Sequence, residues 1–177
     1  MTNLINDILM ISRLETKEAE VDLIEVRICP LIQEVCDSME PLAKECKVTL
    51  EMNCKPLVMT ANTQQLRELF SNLISNAIKY NKPGGKVLIT VTSEVKDFVL
   101  VVEDTGVGIP EEAKQRVFER FYRVDKGRSK KMGGTGLGLS IVKHVVNYYN
   151  GSIELDSKLT EGSKFTVRLP LIQNKRD

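Results

Sequence analysis

Asn72-Leu73-Ile74-Ser75-Asn76-Ala77-Ile78-Lys79-Tyr80 closes a helix that the spacing predicts over Thr63 to Tyr80, and this helix decides the fold. Leu66, Leu69, Leu73 and Ala77, with Phe70 and Ile74 beside them, recur at helical spacing and form a wide apolar face. Asn72, Asn76 and Lys79 recur at i, i+4 and i+7 and stack on a second stripe beside it. Asparagine is a poor residue inside a helix, because its amide competes for backbone hydrogen bonds. Two on one face, followed by a lysine, mark a candidate site. Alone, the pattern also reads as a solvated polar face, so the surrounding chain has to decide.

Asn62, with Gln65 three residues on, forms a capping-box start for this helix, and Lys82-Pro83-Gly84-Gly85 ends it and turns the chain. Upstream, Val21 to Val26 reads as a strand, Pro30 to Glu45 as a helix, and Val48 to Met52 and Leu57 to Met59 as strands. Downstream, Lys86 to Thr92 and Phe98 to Glu103 form a hairpin through Ser93 to Asp97. Phe98 to Val102 is apolar on both faces, as the central strand of a covered sheet should be. Pro110-Glu111-Glu112 opens a further helix, with proline suited to the first turn and acids to the dipole. Leu137 to Tyr149 is another helix, Asn150-Gly151 a turn, and Ser152 to Asp156 and Lys164 to Leu169 close the sheet. The order predicts an α/β protein, a two-layer sandwich of a mixed sheet with helices on one face.

Met1 to about Glu18 reads as a strongly apolar helix, with Leu4, Ile8 and Ile11 on one stripe. It needs a partner helix, so the chain is expected to begin partway through a helical hairpin or coiled coil. An ordinary terminal helix packed on the domain fits the same periodicity. The expected division is residues 1–18 for this helix and 19–177 for the globular domain.

Lys and Arg number 25 against 24 Asp and Glu in 177 residues. No global field recruits nucleic acid or an anionic membrane. No run approaches the roughly 20 apolar residues of a membrane span, and the N-terminus shows no signal-peptide pattern. Cys29, Cys36, Cys46 and Cys54 have no Cys-x-x-Cys pairing and no clustered histidine. They read as reduced, half-buried cytosolic thiols rather than a zinc site or a disulfide framework.

Six of the 11 glycines fall in Asp104-Thr105-Gly106-Val107-Gly108-Ile109-Pro110 and Gly133-Gly134-Thr135-Gly136-Leu137-Gly138-Leu139. Asp104 sits where the central strand ends, so its carboxylate points into whatever pocket lies over the sheet edge. Gly106 and Gly108 let backbone approach a ligand closely. The second stretch runs directly into a helix, which aims free N–H groups at phosphate. Neither is a Walker loop or a Gly-x-Gly-x-x-Gly fingerprint, and each alone reads equally well as a turn. Between them, six cations against one acid lie from Arg120 to Lys131. This segment reads as a mobile lid that neutralises phosphate.

Together these residues resemble the catalytic ATP-binding domain of bacterial sensor histidine kinases, within the gyrase–Hsp90–histidine kinase–MutL superfamily. Asn72 to Tyr80 resembles the N box, Asp104 to Pro110 the first glycine box, and Phe118 to Arg123 the F box. Gly134 to Leu139 resembles the second glycine box, and Glu161 to Phe165 the last small motif. The resemblance covers about Val21 to Pro170. Met1 to Glu15 resembles the end of the second dimerisation helix that precedes this domain, and the Phe-Glu-Arg-Phe-Tyr-Arg box and the Ser140 to His144 helix resemble membrane-bound kinases of the phosphate-sensing type.

The resemblance implies a Bergerat-type ATP-binding fold and the cofactors ATP and Mg²⁺. Asn76 would give its amide oxygen to Mg²⁺, Asn72 and Lys79 would sit beside the phosphates, and Tyr80 near the adenine-side wall. Asp104 would accept the adenine amino group's hydrogen bond, with Gly106, Gly108, Ile109 and Thr166 also contacting nucleotide. Gly134, Thr135, Gly136, Leu137, Gly138 and Leu139 would hold phosphate. Arg123, Lys126 and Arg128 are candidates for the γ-phosphate or its acceptor. The implied partners are the protein's own dimerisation and phosphoacceptor domain and a response-regulator receiver domain. The parent protein would be a membrane-anchored homodimer with this portion cytoplasmic, and this portion alone a monomer.

Superfamily members that hydrolyse ATP carry a water-activating glutamate one turn before the magnesium asparagine. Here that position is Asn72, which cannot act as a base at neutral pH. Phosphoryl transfer to a nucleophile from another domain needs no such base here. The phosphoacceptor histidine box of the family is not found in these residues, whose one histidine, His144, falls in the helix after the glycine loop. A hydrolytic ATPase and a non-catalytic nucleotide-sensing module remain the competing readings.

Overall fold

The computed structural model describes residues 22–124 and 134–171. The helix expected over Met1 to Glu18, its boundary with the domain, and most of the basic segment lie outside the described residues. The elements are β1 (Ile24–Arg27), α1 (Ile28–Cys46), β2 (Thr49–Cys54), β3 (Val58–Ala61), α2 (Thr63–Lys79), β4 (Lys86–Glu94), β5 (Asp97–Asp104), α3 (Gly138–Tyr148), β6 (Ser152–Lys158) and β7 (Gly162–Pro170).

Five strands form one sheet in the order β2-β4-β5-β7-β6, and β1 pairs with β3 in a separate antiparallel ribbon. β2 runs parallel to β4 and every other pair is antiparallel, which makes the sheet mixed. Alternation sends Val87, Ile89 and Val91 of β4, Phe98, Leu100 and Val102 of β5, and Phe165, Val167 and Leu169 of β7 to one face. Against that face pack Ile28, Leu31, Ile32 and Val35 of α1, Leu66, Leu69, Phe70, Leu73 and Ile74 of α2, and Ile141, Val142, Val145 and Val146 of α3. Helices cover one face only. On the other, Val99 is buried beside its register partner Arg168, whose guanidinium pairs with Glu94 and Glu154. The apolar run of β5 is thus covered by helices on one side and by its own neighbours' side chains on the other.

Two expectations change. From Pro110 the chain makes only two single 3-10 turns, Glu111–Ala113 and Arg116–Phe118. Ala113 and Val117 alone are buried there, too small an apolar face to hold a longer helix. The cysteines are not all free: Cys29 and Cys54 form a disulfide, with S–S 1.96 Å and Cα atoms 5.8 Å apart. The fold lays the first turn of α1 over the end of β2, and a sequence separation of 25 carries no local signal of that meeting. Cys36 and Cys46 remain thiols, and burial pushes the Cys36 thiol up to about 11. Among the described residues no helix is long and apolar enough to cross a membrane.

Candidate functional site

The site begins with how α2 is held. Asn62 caps its start, accepting the Gln65 N–H at 3.0 Å. The reciprocal bond of a capping box is not made. Tyr149, fully buried at the end of α3, accepts the Asn62 N–H at 2.9 Å and donates its hydroxyl to Gln65 Oε1 at 2.6 Å. At the other end the Tyr80 carbonyl accepts from Val107 N, and the Asn81 amide bonds both Lys86 O and the Lys82 N–H. The asparagine stripe is therefore fixed at one end against α3 and at the other against the loop after β5.

Between these elements lies a cavity of about 730 Å³. Asn72, Asn76, Lys79 and Tyr80 line it from α2, and Asp104, Gly108 and Ile109 from the end of β5. Gly134, Thr135, Gly136, Gly138 and Leu139 line it from the loop entering α3, and Arg123 from the segment before. Asn72 donates its amide N–H to Glu68 O at 2.8 Å, leaving Oδ1 toward the loop. A Cβ at position 138 would stand 2.6 Å from that oxygen, so any larger residue where α3 meets α2 would make the Asn72 amide move. α3 starts without a side-chain cap, which leaves its first N–H groups available to an anion. Arg123 Nε and Nη2 are buried with no hydrogen-bond partner among the described residues. These two guanidinium donors and the uncapped start of α3 line the same cavity, and donors of this kind suit phosphate oxygens.

The opposite wall is anionic. Asp104 is 8% exposed, its Oδ1 accepts from Gly106 N at 2.7 Å, and the Ser163 main chain bonds it as well. Burial pushes its carboxyl up to about 6, opposed by those two N–H bonds and reinforced by Glu103. Such a carboxylate accepts hydrogen bonds from an amino group and repels an oxo group.

Three expected residues do not line the cavity. Gly106 acts through its N–H to Asp104, and Leu137 is in the core. Thr166 is a correction: Phe165, Val167 and Leu169 point inward, so alternation turns Thr166 to the far face beside Val101 and Glu154. Ser163 and Phe165 line the wall instead. Lys126 and Arg128 lie outside the described residues. The sequence also did not point to Met39 and Leu42 of α1 or to Ser71 and Ser75 of α2, which line the cavity. Ser71 and Ser75 sit one residue before each asparagine, and their helical phase was the available signal.

The family model described as histidine kinase-, DNA gyrase B- and HSP90-like ATPase matches residues 61–173. Sensor histidine kinase RppB of Synechocystis sp. is 39% identical over 97% of this chain, which spans 38% of that protein's length. The solved structure of full-length ShkA in complex with AMPPNP aligns over 97% of this chain and 36% of its own, at 29% identity and a TM-score of 0.83. The mycobacterial sensor histidine kinase MprB aligns over 84% of this chain and 97% of its own, at 27% identity and a TM-score of 0.73. The chain spans well under half the length of the curated relatives it matches. With the matched region running from the start of α2 through the end of β7, this chain belongs to the histidine kinase-, DNA gyrase B- and HSP90-like ATPase family.

Proposed function

We propose that this chain is the ATP-binding catalytic portion of a sensor histidine kinase. It transfers the γ-phosphoryl of ATP to a histidine on a dimerisation domain, for relay to an aspartate of a response regulator. The observation that carries the reading is Asn72. The position one turn before Asn76 presents an amide, tied to Glu68 O, where a hydrolase of this family needs a carboxylate to activate water. Glu68 also lines the cavity, but it lies two turns from Asn76, about 12 Å along the helix axis. Its carboxylate takes the Gln64 amide at 2.9 Å.

The residues present fit Mg·ATP. Asp104 accepts the adenine amino group, and the Gly134 to Gly138 loop with the first N–H groups of α3 holds phosphates. Lys79 and the Arg123 donors, which have no partner among the described residues, neutralise their charge. Among the described residues no cluster of three His, Cys, Asp or Glu could hold a metal alone. Asn76 would give Mg²⁺ its protein ligand, and the ion would supply charge neutralisation when bound. Catalysis is then positioning of the γ-phosphoryl group for an external nucleophile. The parent protein acts as a membrane-anchored homodimer with this portion in the cytoplasm.

The test incubates the 177-residue chain with γ-labelled Mg·ATP, alone and with the parent's acceptor segment. Slow turnover alone and label on the segment, lost in acid and stable in base, is the expected result. Brisk phosphate release without the segment would establish a hydrolase. ATP binding with neither release nor transfer would establish a nucleotide sensor.

A further inference from the structure

The Cys29–Cys54 bond lies where the five-stranded sheet meets the β1–β3 ribbon. Cys54 ends β2, and Cys29 follows Arg27, whose register partner Val58 closes the ribbon at that end. Both cysteines are half-buried, so a small molecule in solvent can reach them. The Lys55 carbonyl oxygen stands 3.1 Å from Cys29 Sγ. A disulfide sulfur has no proton to donate and a thiol has one, so this carbonyl accepts a hydrogen bond from Cys29 only when the bond is open. The open form thus has its own contact and needs no rearrangement. The start of α1 carries no side-chain cap and no acidic residue in its first turn. A helix start favours negative charge, which makes Cys29 the sulfur that leaves as a thiolate. The other two cysteines lack this setting. Cys36 is buried with its thiol pushed up to about 11, and Cys46 ends the same helix, where the dipole opposes negative charge.

The cytoplasm, where this portion is placed in the proposed function and on which this inference rests, keeps small thiols reduced, and a permanent disulfide there is rare. Two cysteines held with Cα atoms 5.8 Å apart can nevertheless close without backbone movement. We propose that Cys29 and Cys54 are a reversible thiol–disulfide switch, exchanging with a small thiol of the glutathione class, that sets how firmly the β1–β3 ribbon is held. In opening, a small thiolate attacks Cys54 Sγ, the S–S bond breaks, and Cys29 leaves as a thiolate that takes up a proton. A second small thiolate attacks the small-thiol sulfur of the mixed disulfide, releases Cys54 to be protonated, and forms the small disulfide. Two small thiols give up two electrons and two protons to the protein, and closing runs in reverse with the small disulfide as oxidant. The ribbon feels the difference because β1 buries only Val26, while Ile24, Glu25 and Arg27 are exposed. Besides its ladder to β3, the neighbouring main-chain tie is Ile28 N–H to Leu57 O at 2.9 Å. Releasing the four residues of β1 adds roughly 14 Å to the tether between the domain and the chain before it. Tether length governs how often a linked site meets its acceptor.

The test poises the whole chain, without denaturant, in glutathione buffers of graded oxidised-to-reduced ratio. Acid quenching, alkylation of free thiols and peptide mass mapping read the bond, and hydrogen exchange reads the ribbon. Cys29 and Cys54 should become alkylated together as the buffer turns reducing and close again when it is returned. Amides of residues 24–27 and 58–61 should exchange at least about tenfold faster in the open form. Mg·ATP affinity should be the same in both forms. Cys29→Ser should show the fast exchange in every buffer; if it fails to fold, the reduced wild type supplies the same reading. A bond that opens only after denaturation is a structural staple and overturns the switch. So do thiols that stay open in oxidised buffer, and equal ribbon exchange in the two forms. Each of these outcomes leaves the ATP-site reading standing. Acid trapping in cells that make the full-length parent completes the test: a pair found oxidised under every growth condition overturns the cytoplasmic placement together with the switch. A chain that opens and closes as expected but binds no Mg·ATP overturns the ATP-site reading alone.

Discussion

Asp104→Asn should make the protein more stable while abolishing nucleotide binding. Burial raises the Asp104 carboxyl from an ordinary 3.8 to about 6, against the pull of the Gly106 and Ser163 N–H bonds. The folded state therefore holds this proton more tightly than the unfolded state does. Between about pH 4 and pH 6 the folded state binds the extra proton, so unfolding free energy falls as pH rises through that window. Below it the penalty is absent; above it the penalty is fully present. At 1.36 kcal/mol per pH unit, the interval between 3.8 and about 6 corresponds to about 3 kcal/mol at neutral pH. An asparagine keeps an oxygen for the Gly106 N–H and removes the charge, so it recovers up to about 3 kcal/mol at pH 7.5 and little at pH 4. Its amide nitrogen can no longer serve as an acceptor for the adenine amino group. Urea unfolding of both proteins from pH 4 to 8, with and without Mg·ATP, reads the two effects together. Wild-type and variant curves running parallel across that range would refute the reasoning, because the buried charge would then carry no linkage.

Asn76→Asp places a second negative charge beside the phosphates and alters the metal's ligand geometry. Calorimetry should show at least a tenfold loss of Mg·ATP affinity, with an unchanged melting temperature. Tyr149→Phe strands the Asn62 N–H and the buried Gln65 carbonyl oxygen, and should cost about 1–3 kcal/mol in urea unfolding. Its effect on nucleotide affinity should be small, because neither partner lines the cavity. Reduction of Cys29–Cys54 opens a loop closed across a separation of 25 residues, which loop-closure entropy values at about 3.5 kcal/mol. Melting the oxidised protein and the Cys29→Ser variant side by side checks this, and equal midpoints would contradict it.

The sequence by itself determined most of the elements and most of the residues that line the cavity. Leu66, Leu69, Phe70, Leu73 and Ile74 announce the buried face of α2 by spacing alone, because helical side chains repeat at a fixed period. Asn72, Asn76 and Lys79 follow on the same helix, so their common stripe was legible without any tertiary contact. Asp104 was readable because it ends an apolar strand, and the loop before α3 because its glycines cluster. What the sequence could not carry were meetings between distant segments. The Cys29–Cys54 bond, the Tyr149 hydroxyl inserted between Asn62 and Gln65, and the Ser157–Ser163 pair behind Asp104 each depend on strand register and helix placement. Thr166 shows the same limit within a single strand. Periodicity assigns neighbouring residues to opposite faces, but only the packing of Phe165, Val167 and Leu169 against the helices decided that Thr166 faces away from the cavity and Ser163 into it.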